Sequence, residues 1–417
     1  MIIYKEIESC RICKNQELDL ILDLGTLPLT GVFPKTKSEE VPTGPLRLVK
    51  CRESNSKESC GLVQLRESYN AELMYGQNYG YRSGLNKSMV QHLHDKVKNI
   101  LDYVTLNSED IVLDIGSNDS TLLQAYPNRN LSLVGFDPTG IKFKKYYPDH
   151  ITLIADFFNS RIFKKYFGNK KAKIITSIAM FYDLEEPLKF VREVYDILSD
   201  DGIWVFEQSY MPLMLEVNAF DTICHEHLEY YRLNQIHWMM EKVGFKIIGI
   251  EFNNINGGSF SVTVAKSESS FSETPSLEKF LIDEKNKGLD TNRPYEEFRS
   301  KVFEFKIKIR EFLNNIHSEK KMVLGYGAST KGNVLLHFCN ITSRDIPYIA
   351  EVNTDKFGCY TPGTLIPIIS EKEARNMNPD YFFVLPWHFK DFILEKELSR
   401  TEGKVSLLFP LPSIKVF

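Results

Sequence analysis

Residues 219–231 carry three titratable groups side by side, His225, Glu226 and His227, next to the pair Tyr230–Tyr231. Two imidazoles around one carboxylate invite a metal-site reading. The spacing is not His-Glu-x-x-His, however, and residues two apart do not share a helical face. General-base chemistry suits the stretch better, because an imidazole titrates near neutral pH and Glu226 can orient it or share its proton.

A second constellation lies at the N-terminus. Cys10 and Cys13 are spaced as in a zinc knuckle, and Cys51 and Cys60 follow, separated by a polar stretch that can loop out. Four thiolates close the coordination shell, so the expected metal is a structural zinc rather than a catalytic one. The remaining cysteines, Cys224, Cys339 and Cys359, are scattered. Such clustering reads as a metal site in a reducing compartment, not as a disulfide framework.

A third set is made of acids at strand ends. Ile111–Ile115 reads as a buried strand with Asp114 near its end, followed by the turn Gly116-Ser117-Asn118 and a helix start. About twenty residues on, Leu133–Phe136 is a second strand, and Asp137 there can accept both ribose hydroxyls. Asp156 and Phe157 follow a third strand and suit an adenine amino group and ring. A fourth strand, Ile174–Met180, contains Ser177, and a fifth runs from Gly202 to Gln208. The turn lacks the later glycines of the dinucleotide fingerprint and has no phosphate-binding lysine. Adenosine without pyrophosphate points to S-adenosylmethionine (SAM), with Asp114, Gly116, Asn118, Asp137, Asp156, Phe157 and Ser177 as its candidate contacts.

These groups need elements to hold them. At 417 residues the chain exceeds one ordinary core. Divisions are expected at 1–70 (zinc-binding module), 71–266 (cofactor domain) and 267–417 (a helical linker and a second Rossmann-like unit). A helix is predicted from about Asn86 to Val104, a closing strand over Asn256–Lys266, and a helical run from Pro294 to about His317. The tyrosines of Asn78-Tyr79-Gly80-Tyr81 can line a polar site. In the last unit, Gly325–Asn333 reads as strand, glycine-rich loop and helix. Amides at such a helix start favour phosphate, so Ser329, Lys331 and Asn333 are candidate contacts for a nucleotide diphosphate. A net charge of −4 gives no reason to expect nucleic acid, and no apolar run reaches bilayer length. The start, with its early Glu6, does not read as a signal peptide, so a cytoplasmic protein is expected, and a chain of this size can act as a monomer.

His225-Glu226-His227-Leu228-x-Tyr230-Tyr231 resembles the signature of the bacterial sugar C-methyltransferases. The resemblance runs over essentially the whole chain. It includes the cysteine pairs, Leu24-Gly25-x-x-Pro28-Leu29, Cys60–Leu65, the Asp114–Asn118 turn, Asn256-Gly257-Gly258-Ser259, Gly325–Asn333, Glu351-x-Asn353, Pro362-Gly363-Thr364 and Pro386-Trp387-x-Phe389. It implies an α/β fold: a class I SAM methyltransferase (Rossmann-like) core with a small N-terminal zinc module and a second C-terminal Rossmann-like domain.

The resemblance further implies a nucleotide-linked 4-keto-6-deoxy sugar, methylated through an enolate at the carbon (C-3) beside the keto group. His227 maps to the base and Glu226 to its companion acid, and Asn256 joins the substrate side. Two positions depart from the family pattern. Cys224 stands where a Tyr is common, and Phe181 stands where a His is common. Tyr182 and Tyr79 are therefore candidates for stabilising the enolate. O- or N-methyl transfer to a sugar, a nicotinamide oxidoreductase using the Gly325 loop and a non-catalytic zinc scaffold are the competing readings.

Overall fold

A computed structural model describes residues 3–53, 59–75, 81–127, 130–400 and 405–417. Tyr79 lies outside the described residues. The first seventy residues build β1 (Tyr4–Glu6), β2 (Leu18–Pro28), β3 (Thr43–Cys51), β4 (Val63–Leu65) and β5 (Glu67–Tyr69), followed by the short α1 (Ala71–Met74). β1 pairs with β5, while β2, β3 and β4 form an antiparallel meander.

The helix predicted from Asn86 is α2 (Lys87–Tyr103). Asn86 caps it by accepting the Ser88 N–H, and Met89, Leu93, Val97 and Ile100 form its buried stripe. Then come β6 (Ile111–Ile115), β7 (Ser132–Phe136), α3 (Gly140–Phe143), β8 (Ile151–Ile154), α4 (Ser160–Phe167), β9 (Ala172–Ile178), α5 (Pro187–Ile197) and β10 (Leu198–Ser209). They lead to α6 (Met211–Glu216), β11 (Glu229–Tyr230), α7 (Leu233–Val243), β12 (Phe245–Asn253) and β13 (Ser259–Lys266). The seven-stranded sheet has the order β12-β13-β10-β9-β6-β7-β8. β6 to β10 run parallel, and β13 runs antiparallel to both its neighbours. Strand order reverses between β6 and β9, which opens a crevice at their C-terminal ends.

The sequence reading differs here in three details. The helix expected after the Gly116 turn is only a 3-10 turn at Leu123–Ala125, because Asn118 (φ 49°) and Ser120 (φ 64°) are left-handed and interrupt any helical run. The last strand starts at Ser259 rather than Asn256, since Asn256 (φ 56°) sits in a tight turn. That strand also does not close the sheet edge: it inserts between β10 and β12.

The charged stretch from Ser267 holds α8 (Leu277–Asn286), and the long α9 (Arg293–Ser318) follows. The last unit comprises β14 (Val323–Tyr326), α10 (Thr330–Phe338), β15 (Ile349–Glu351), β16 (Ile368–Ser370), α11 (Glu371–Asn376), β17 (Tyr381–Val384), α12 (Lys390–Leu398), β18 (Ser406–Phe409) and β19 (Lys415–Val416). Its sheet order is β16-β15-β14-β17-β18-β19, parallel except for β19.

The three parts are stitched rather than strung. β11, two residues past His227, pairs with β4 and completes the N-terminal sheet. One hydrophobic cluster joins Leu22, Leu46 and Leu48 of that sheet to Phe220 and Ile223 and on to Val334 and Leu335 of α10. Among the described residues, no helix is long and apolar enough to cross a membrane.

Candidate functional site

The His-Glu-His loop leaves α6 through a tight turn at Phe220–Thr222 and ends on β11. Within it, the two histidines face different partners. His227 is partly buried. Its Nδ1 lies 2.9 Å from the Thr222 carbonyl. A carbonyl can only accept, so Nδ1 carries the proton and donates it, which leaves Nε2 with a free lone pair. The Tyr182 ring packs edge-on against the imidazole at 4.4 Å. Burial, and then the charge of Lys331, push His227 down to about 3, well below the near-neutral range expected from its residue type, so it is neutral at physiological pH.

His225 is fully buried and points the other way, into the N-terminal module. Its Nδ1 lies 3.3 Å from the Thr30 hydroxyl, and its ring meets Tyr69 edge-on at 4.7 Å. Glu226 lies between the two directions. Its carboxyl packs on Gly31, and burial raises it above the usual carboxylate range; the partner that orients His227 is the Thr222 carbonyl rather than the Glu226 carboxylate expected from the sequence. Thr30 and Gly31, just past β2, thus form a wedge between the His-Glu-His loop and α10, with the Asn333 amide donating to the Thr30 carbonyl at 2.8 Å. Sequence reasoning missed this wedge, since nothing in Thr30-Gly31 announces a partner two hundred residues away. It also missed Asp221 and Thr222, which hold the loop from behind.

The candidate cofactor residues gather, with one exception, at the crevice where the strand order reverses. Gly116 (φ 78°) turns the chain beneath it, and a Cβ there would stand 3.0 Å from Met180 Cγ. Asn118 donates its N–H to Asp137 Oδ2 at 2.7 Å, and Asn118 Oδ1 accepts from Ser83, so residues 81–86 cover the turn. Asp137 ends β7 and also accepts from Thr139. Asp114 is buried one residue inside β6, takes the Thr176 hydroxyl at 2.6 Å, and is pushed up to about 7 by burial. Asp156 and Phe157 are exposed on the rim, with Phe157 44% exposed. Ser177 is the exception: it is buried in the sheet, where its hydroxyl accepts the Trp204 N–H at 2.8 Å. A glycine cradle without bulky side chains, followed by an acid at the end of β7, fits an adenosyl ligand with no pyrophosphate.

Cys10, Cys13, Cys51 and Cys60 converge, with all four sulfurs within 4.8 Å of one another. The pairs Cys10–Cys60 and Cys13–Cys51 each stand at 3.5 Å. Tetrahedral zinc with bonds of about 2.3 Å separates its sulfurs by about 3.8 Å, so the four thiols fit that ion. The Asn15 amide reaches Cys51 Sγ at 3.5 Å, an outer-shell donor of the kind that steadies thiolates. Between the first two ligands, Arg11 is buried against Glu229 at 3.5 Å and donates to Gln64, Leu65, Glu67 and Ser68.

The C-terminal candidates split. Ser329 caps α10 by accepting the Gly332 N–H, and Asn333 is buried behind it. Lys331 instead turns toward the His-Glu-His loop and donates to the Asn256 carbonyl at 3.0 Å.

Three family models match the chain in sequence: one described as "Putative zinc binding domain" over residues 10–75, a methyltransferase domain over 86–250 and a C-methyltransferase C-terminal domain over 254–412. The C-methyltransferase NovU of Streptomyces niveus is 26% identical over 99% of this chain and 98% of its own length. Among solved structures, the magnesium protoporphyrin IX methyltransferase ChlM of Synechocystis is 12% identical with a TM-score of 0.33, covering 43% of this chain and 79% of that one. The plantazolicin methyltransferase BamL is 13% identical with a TM-score of 0.35, covering 44% and 87%.

Proposed function

We propose that this chain, matched in turn by zinc-binding, methyltransferase and C-methyltransferase C-terminal models and similar to NovU over its whole length, is a SAM-dependent C-methyltransferase that methylates C-3, beside the keto group, of a nucleotide-linked 4-keto-6-deoxy sugar. The observation that carries this reading is the state of His227. A neutral imidazole with Nδ1 committed to Thr222 is a base with one available nitrogen, held by rigid neighbours.

The bound cofactor supplies an electrophilic methyl group on its sulfonium. His227 Nε2 takes the proton from C-3. The C–H electron pair forms the C3–C4 double bond, and the carbonyl π pair moves onto oxygen. With SAM held at the Gly116 turn, its methyl would pass to that carbon as the S–CH3 bond broke and the carbonyl re-formed, and His227 would then give its proton to solvent. Glu226 is the companion acid, and Tyr182 keeps the imidazole plane in place. The nucleotide end is assigned to the start of α10, beside Ser329, with Asn333 and Asn256 near it. The reading places the protein in the cytoplasm.

Incubation with SAM and a panel of 4-keto-6-deoxy nucleotide sugars in deuterated water tests this. A new carbon-bound methyl seen by NMR is expected. A methyl on oxygen or nitrogen, or no methyl and no deuterium uptake with any member, overturns it.

A further inference from the structure

The enolate oxygen formed by this chemistry needs a donor, and the two family positions that commonly surround the base are Cys224 and Phe181 here. Cys224 and Phe181 are both buried, and Phe181 stacks on Tyr231 within the core. The polar groups that converge on the base come instead from four separate segments. Thr222 holds His227, and the neighbouring Asp221 is fully buried, with Oδ2 accepting the Trp387 indole N–H at 2.7 Å. Trp387 and His388 pack under the Asn256–Gly257 turn, where a Cβ on Gly257 would stand 3.3 Å from the indole. Lys331 reaches from the first turn of α10 to that same turn through the Asn256 carbonyl. Asp221 Oδ1 and His388 Nδ1 have no hydrogen-bond partner among the described residues.

We propose that Lys331 is a catalytic residue, its ammonium donating to the carbonyl oxygen of the substrate as His227 removes the adjacent proton. The inference rests on the C-methylation reading above and reassigns Lys331 from the diphosphate to the reacting centre. One ammonium bond to Asn256 leaves two N–H groups to donate. A cation fixed beside the point where negative charge develops stabilises the transition state more than the ground state. The electrostatics agree: the charge of Lys331 lowers both His227 and His388, while burial raises Asp221 to about 6. The charge acting on His227 is that of Lys331 from α10, with Tyr182 across the ring. Asp221 and Cys224 act on Lys331, whose ammonium burial pushes below its ordinary range.

The test compares Lys331→Met and Lys331→Arg with the parent protein. Three readouts are used: kcat and KM for methylation, deuterium uptake beside the ketone without SAM, and the titration of 13C-labelled His227 by NMR. For Lys331→Met we expect kcat and deuterium uptake to fall together by about 10²–10³, with KM within about threefold. The His227 titration should move to higher pH, and Lys331→Arg should recover part of both losses. A raised KM with kcat unchanged would return Lys331 to the diphosphate and overturn the proposal. So would an unmoved His227 titration. That NMR readout needs no substrate. If no panel sugar reacts with the parent protein, the acceptor reading fails, and the titration still decides whether Lys331 faces the base.

Discussion

Gly31 offers a clean test of whether the N-terminal wedge places Glu226. An alanine Cβ built on Gly31 overlaps Glu226 Oε1 and comes within 3.6 Å of Thr330 Oγ1. Restoring a carbon–oxygen separation of about 3.3 Å requires the carboxyl to withdraw by about 1 Å. The backbone of Gly31 is not left-handed, and the obstructing atom is the end of a flexible side chain, so folding should change little. Gly→Ala at a compatible position stabilises by roughly 0.4–1 kcal/mol through the unfolded chain, which offsets a mild clash. The catalytic effect should be far larger. A misplacement of about 1 Å at the reacting centre lowers the rate by about 10², or about 2.7 kcal/mol in the barrier. The expected result for Gly31→Ala is a melting temperature within a few degrees of the parent, SAM affinity unchanged by calorimetry, and kcat down about a hundredfold. A kcat within about threefold of the parent would refute the claim that this wedge sets the Glu226 carboxyl.

Other expectations concern the scaffold. Cys60→Ser opens the thiolate cluster, so metal analysis should fall from about one zinc per chain toward none, and urea unfolding should shift to lower concentration; full zinc retention would count against four-thiolate binding. Arg11→Met leaves Glu229 and the Leu65 and Glu67 carbonyls without their buried donor and should destabilise by about 3–5 kcal/mol in urea denaturation, with Glu229→Gln restoring only part of the loss; a loss under about 1 kcal/mol would refute the role given to Arg11. His225 is held at about 4 in the folded chain, below its unfolded value of about 6.5, so its contribution to stability is complete above pH 6.5 and is lost as pH falls toward 4. Denaturation of the parent and of His225→Gln between pH 7 and 4 should therefore converge by up to about 3 kcal/mol, and parallel curves would disprove the burial argument. Gly116→Ala places a Cβ 3.0 Å from Met180 in a left-handed turn, and SAM affinity should drop at least tenfold by calorimetry; an unchanged constant would move the cofactor elsewhere.

Much of this was legible from residue type and local period. The stripe Met89, Leu93, Val97 and Ile100 with Asn86 before it defined α2, and Asp114, Asp137 and Asp156 fell at the ends of consecutive parallel strands. The two cysteine pairs converge as their spacing predicted, with four sulfurs placed to share one ion. What sequence could not supply were directions and distant partners. His225 and Ser177 share residue types with the other candidate site groups, yet one packs on Tyr69 and the other on Trp204. Pattern alone does not say which face of a loop or strand meets the crevice. Lys331 likewise carries a phosphate-like signature in sequence, and only the turn at Asn256 shows where its ammonium goes.

The pairing of β11 with β4 has a consequence for how the protein is made. All four zinc ligands emerge within the first sixty residues, but the strand that completes their sheet lies about 165 residues downstream. At ribosomal speeds that separation is on the order of ten to thirty seconds. During that interval the nascent module can hold its metal while the free edge of β4 stays open to other strands. Arrival of Glu229 and Tyr230 closes that edge and sets His227 in position in the same event. Completion of the N-terminal sheet and placement of the His-Glu-His loop are thus one step of biosynthesis, ordered by the chain itself.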